Sequence, residues 1–199
     1  MKLSVKISLL MGIVVLASTV ALLILVGLKV SSAMEESCLN FLASESDTDA
    51  KFLKSMVDGQ LDILGEIAGR ARTRTMDSST VPKTLKPDVP RLNALDLAMV
   101  TPEGNTFFVQ GNSTNIKNQS YFNRAMKGER NIEMAVMDGK LIAIFAVPIK
   151  KNDEATAPVV GVLLAHKDGA SAISNLVTEL KSLYKSGFPF LIDQEGTII

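Results

Sequence analysis

An α+β fold is what the sequence predicts: one long N-terminal helix, its first part apolar enough to span a bilayer, leading into an antiparallel sheet. Three observations carry this. Residues 7–28 contain no charge, residues 30–75 contain no proline and repeat apolar side chains at mostly helical spacings, and residues 94–166 alternate short β-prone runs with turn signals.

The uncharged stretch reads ISLLMGIVVLASTVALLILVGL, from Ile7 to Leu28. At 1.5 Å per residue a helix of this length covers roughly 33 Å, which matches a hydrocarbon core of about 30 Å. Lys2 and Lys6 precede it, and Lys29, Glu35 and Glu36 follow. The positive-inside bias therefore favours residues 1–6 in the cytoplasm and the remainder outside. A cleaved signal peptide is the competing reading, because Ser31, Ser32 and Ala33 are small. Signal h-regions run to about 7–15 residues, so the longer stretch favours a retained anchor. Glu35, Glu36 and Ser37 do not suit a lipoprotein cleavage site before Cys38, the one cysteine, which reads as a buried or merely tolerated thiol.

After the span, Val30, Met34, Cys38, Phe41, Phe52, Met56, Leu61, Leu64, Ala68 and Ala71 fall at helical spacings, which predicts a long amphipathic helix over residues 29–78. Its polar middle, Ser44 to Asp49, reads either as a break or as a solvated stretch. An apolar stripe on such a helix has to pack on its own domain or on a second copy, which makes a homodimer the expected assembly. Met76 to Pro90, with Pro82, Pro87 and Pro90, reads as a linker.

The β-prone part begins with Ala94–Val100 and Thr106–Gln110 around Thr101-Pro102-Glu103-Gly104-Asn105, a hairpin pattern. A short helix follows over Tyr121–Met126, stopped near Gly128. Ile132–Met137 and Lys140–Ile149 flank Asp138-Gly139, a strong two-residue turn, and Pro158–His166 adds a strand. Ile173, Leu176, Val177, Leu180 and Leu183 then share a helical face that ends by Gly187.

Composition narrows the function. Acidic and basic residues balance at 21 each, which leaves no footprint for a nucleic acid. His166 and Cys38 are single and far apart in sequence, no Gly-rich phosphate loop or metal-ligand spacing is present, and carboxylates are scattered. Neither an enzyme, a metal site nor a cofactor is expected.

In their order, several of these segments resemble the double Cache sensor domain of bacterial transmembrane receptors. The matching pieces are Leu95–Asn105, Ser120–Gly128 (SYFNRAMKG), Asp138-Gly139-Lys140 leading to Ala146-Val147-Pro148-Ile149, Pro158–Leu163, and Gly187–Ile199 as the opening hairpin of a second module. The resemblance implies a PAS-like antiparallel sheet with a pocket in a membrane-distal module over 91–184, the start of a membrane-proximal module over 186–199, and a chain that stops within it. It further implies the ligand-sensing portion of an inner-membrane chemoreceptor of the methyl-accepting type; the sensor of a histidine kinase or diguanylate cyclase, and a secreted binding protein, are the alternatives.

By the same resemblance Gln119, Tyr121, Phe122, His166 and Asp168 are the candidate ligand-binding residues. Amino-acid-binding members of that family use an arginine where this chain has Gln119 and an acid where it has His166. A neutral amide cannot replace a bidentate arginine, so the expected ligand is a small molecule other than an α-amino acid, neutral or weakly acidic. By position alone, Phe145 reads as core, and Lys167 and Asp168 as solvated residues at a strand end.

Overall fold

The structure is a computed structural model that describes residues 3–111, 113–154, 156–172 and 174. The chain divides into two compact units, Met1–Phe52 and Leu53–Ile199.

The first unit is a single helical stretch, the beginning of α1 (Leu3–Ala68). It contains the one helical segment among the described residues that is long and apolar enough to cross a membrane, with a window of mean hydropathy 2.7. Leu16, Leu23 and Leu28 are all exposed there. The polar middle does not break the helix. Thr48 Oγ1 returns to the Ser44 carbonyl and Lys51 pairs with Asp47 one turn away at 2.6 Å, so Ser44–Asp49 is a solvated stretch. Cys38 is exposed, which leaves the tolerated thiol of the two expected readings.

The second unit begins with the last turns of α1, whose Leu61, Leu64, Ile67 and Ala68 are buried. The helix stops earlier than its apolar spacing predicts. Gly69 donates back to the Gly65 carbonyl, and Arg70 then turns to extended backbone, starting the one-turn α2 (Ala71–Arg74). The expected linker also differs. It holds two short helices, α3 (Val81–Leu85) and α4 (Asp88–Arg91), because a proline within the first turn of a helix forfeits no intrahelical bond. Val81, Leu85 and Leu92 anchor this segment in the core.

Five strands follow: β1 (Asp96–Val100), β2 (Thr106–Phe108), β3 (Asn131–Met137), β4 (Lys140–Lys150) and β5 (Val159–Asp168), with α5 (Ser120–Met126) between β2 and β3. They form one antiparallel sheet in the order β2-β1-β5-β4-β3. The strands, the short helix and their order agree with the sequence reading. Asp138 and Gly139 both have positive φ, 50° and 74°, the conformation a two-residue hairpin needs, and Met137 pairs with Lys140 across it. Gly128, at φ 92°, ends α5.

The central strands are covered on both faces, so their side chains sort by period two. Leu97, Met99, Ala143, Phe145, Val147, Leu163 and Ala165 pack with α1, α3 and α4. Ala98, Val100, Ile142, Ile144, Ala146, Val162 and Leu164 pack with Tyr121, Phe122 and Ala125 of α5. Phe145 is thus a core residue, as expected. The helix expected over 171–184 lies, beyond its first residues, outside the described residues, and so does the hairpin expected over 187–199.

Candidate functional site

Polar side chains break the apolar pattern on the α5 face of the sheet, and they do so in register. Asp96 pairs with His166, His166 with Ile144, and Ile144 with Glu133, so Asp96, His166 and Glu133 stand in one row across four strands. In antiparallel pairing, residues opposite each other point to the same side. The adjacent row runs Phe108, Ala98, Leu164, Ala146, Asn131.

Asp96 is 9% exposed, and burial pushes its carboxyl above the usual range. The backbone N–H of Leu97, 2.8 Å away, works against that rise. His166 is half-buried, and desolvation lowers its basicity, so the ring is held neutral; it tilts against Phe108 with centroids 5.1 Å apart. Its buried Nε2 has no hydrogen-bond partner among the described residues.

Helix α5 supplies the other wall. Tyr121 and Phe122 are each 2% exposed. Burial, and secondarily the charge of Glu133, raises the Tyr121 hydroxyl above its usual pKa. Ser120 donates to Glu133, tying the start of α5 to the edge strand. Asn131 donates to the Tyr121 carbonyl at 3.1 Å, and its own Oδ1 is buried without a partner among the described residues.

Of the five residues singled out from sequence, three meet on this face: Tyr121, Phe122 and His166. Gln119 does not join them, and Asp168 stands one row further along, opposite Ile142. Gln119 precedes the first turn of α5 and is exposed, without a side-chain capping bond. Asp168 accepts the Ser171 N–H at 2.7 Å, which holds its carboxyl below the usual range. Asp96, Glu133 and Asn131 were missed. Their signal was positional: each is a polar residue in a strand at the parity of its neighbours' buried side chains.

A cavity of about 500 Å³ opens on the opposite face, between α1 and the sheet. Lys167 lies there, donating from Nζ to Gln60 Oε1 at 2.6 Å and sitting 5.4 Å from the Phe145 ring. Burial lowers its basicity. Lys167 is therefore a tie between β5 and α1, where the sequence suggested a solvated residue. The rim of this cavity includes Ser171 and Ala172, where the continuous description of the chain ends.

No protein-family model matches the chain, and no curated protein does. Solved structures do match. The ligand-binding domain of the Campylobacter jejuni chemoreceptor Tlp3, in complex with 4-methylisoleucine, aligns with a TM-score of 0.57 at 18% identity, covering 76% of this chain and 63% of that one. The chain has a Cache-type sensory-domain fold. The ligand-binding domain of the Pseudomonas fluorescens chemoreceptor CtaA, in complex with L-serine, aligns at TM-score 0.63 and 15% identity over 82% of this chain and 72% of that one. The sensor domain of the V. cholerae histidine kinase DctB aligns at 0.55 and 16%, over 74% and 61%. The chain thus spans less than two thirds of the length of the Tlp3 and DctB domains.

Burial of His166 has a consequence for the pH response of the fold. A base whose folded pKa lies below its unfolded value of about 6.5 contributes no penalty while both states are neutral. As pH falls through the unfolded value the unfolded chain takes up the proton first, and stability is lost until the folded pKa is passed. Asp96 has the opposite sign: its raised carboxyl takes up a proton in the folded state first, so stability is gained as pH falls towards the unfolded value near 3.8. The His166 loss sets in as pH falls from about 7.5 through 6.5. Urea melts should therefore show the wild type losing stability over that range and His166→Gln losing clearly less; equal losses would remove His166 as the cause.

Proposed function

We propose that this chain is the extracytoplasmic ligand-sensing portion of a membrane chemoreceptor of the methyl-accepting type. Residues 7–28 anchor it, and a small molecule is read on the α5 face of the sheet. The observation that carries the reading is the row of polar groups set into the buried α5 face of a sheet with the fold of chemoreceptor sensory domains. A buried amide oxygen and an imidazole nitrogen on this face, both without a partner among the described residues, support the reading.

Signalling follows from the two faces. The last turns of α1 pack on one face of the sheet and the site lies on the other, so strands β4 and β5 touch both. A ligand that favours one packing of α1 over another shifts the receptor by its differential affinity, typically about 1–3 kcal/mol of coupling. Met34, Leu39, Leu42 and Phe52 are exposed apolar residues along α1 and supply a surface for a homodimer. The sensor of a histidine kinase is the second reading, favoured by the likeness to DctB; the output sequence downstream separates the two.

Topology tests the proposal. The full chain should sediment with membranes, resist alkaline carbonate, and expose the region after Lys29 to protease added from the extracytoplasmic side. Recovery of a soluble chain beginning at Met34 would instead indicate a secreted binding protein.

A further inference from the structure

Charge along two neighbouring rows of the α5 face is one-sided. Asp96 and Glu133 stand at the two ends of a single row with His166 between them, and Asn131 neighbours Glu133 on the same side of β3. Among the described residues, neither that row nor the row of Phe108, Ala98, Leu164, Ala146 and Asn131 contains a lysine or arginine. Arg124 of α5 is exposed and bonded to Glu129 at 2.8 Å, and Lys127, which caps the helix, is exposed.

What is left unpaired there fits the same pattern. Asn131 is 3% exposed and spends both described donor bonds on carbonyls, those of Tyr121 and Glu129, which leaves Oδ1 as a buried acceptor without a donor. His166 Nε2 is also buried and unpaired. A neutral imidazole keeps one nitrogen as an acceptor. Aromatic faces of Phe108 and Tyr121 lie within the same cluster of residues.

A carboxylate entering this site would meet two acids and no base. An ammonium group brings three N–H donors to a set of acceptors, and its charge is complemented by carboxylates and by aromatic faces. We infer that the α5 face takes a small organic amine, carried as its ammonium ion and lacking a carboxylate of its own. The inference rests on the reading of this face as the ligand site. It replaces the neutral or weakly acidic ligand expected from sequence, which depended on Gln119 lining the pocket.

The test is isothermal titration of the full chain in detergent micelles with three matched series: linear primary amines and diamines of two to six carbons, the corresponding carboxylates, and α-amino acids. At least one amine should bind saturably while its matched carboxylate does not. Glu133→Gln should weaken that amine by about tenfold or more without moving the melting midpoint, since Glu133 is only half-buried. Tyr121→Phe and His166→Gln report on the site independently of its charge. Binding of a carboxylate or amino acid that these two variants abolish would overturn the amine assignment and leave the site standing. Heat from no member of the three series, or amine binding indifferent to all three substitutions, would overturn both.

Discussion

Replacing Phe122 with alanine is expected to cost the domain about 3–5 kcal/mol, read as a large fall in the urea midpoint with little change in slope. Phe122 is 2% exposed and packs with Ala98, Val100, Ile144 and Leu164, a cluster drawn from three central strands. Truncation would leave a cavity that a seven-residue helix cannot collapse into without losing its other contacts. Tyr121→Phe is the companion variant. It keeps the ring and removes one hydroxyl, so its stability change should stay within about 1 kcal/mol. A Phe122→Ala loss below about 1 kcal/mol would mean that α5 is not seated on the sheet as described.

The second large effect is expected at the junction of α1 with α4. Arg70 meets Asp88 through two bonds, 2.5 and 3.1 Å, with the Asp88 side chain 6% exposed and that of Arg70 28%. Asp88→Ala would leave a largely buried guanidinium facing no acid, and should destabilise the domain by about 2–4 kcal/mol. Arg91, 3.6 Å from Asp88, would lose the same acid, though its side chain is 58% exposed and already solvated. The double variant Arg70→Met with Asp88→Leu should recover much of that loss, because an apolar pair of similar volume needs no partner. A double variant no better than Asp88→Ala would show that the pair matters for something other than its charges.

Much of the fold was legible in the sequence because its signals are local. Asp138-Gly139 specifies its turn through φ alone, the uncharged run specifies its helix, and the near-continuous apolar runs of β1, β4 and β5 specify strands buried on both faces. Where the expectation failed, the missing information was tertiary. Pro82 and Pro87 read as helix-breaking, yet α3 and α4 form with these prolines at their starts, because Val81 and Leu85 gain burial against the sheet. Lys167 read as solvated because nothing local indicates that Gln60, more than a hundred residues earlier, lies beside it.

The candidate site was half legible for the same reason. Tyr121, Phe122 and His166 sit in segments whose order suggested them, whereas Gln119 depended on the direction of one side chain at a helix start. Asp96 and Glu133 become neighbours of His166 only through strand pairings that join residues far apart in the chain. Pairing register is a property of the folded sheet, and one residue of slip would have put both acids on the other face.

The claim at the centre of this account is that ligand is held on the α5 face. Hydrogen exchange of the full chain in micelles, with and without a saturating amine identified by titration, measures this directly. Bound ligand should slow exchange in residues 119–126, 131–133 and 162–166 most strongly, with a smaller change in the last turns of α1. Protection confined to residues 56–63 and the cavity beside Lys167 would place the ligand on the wrong side of the sheet and contradict the account.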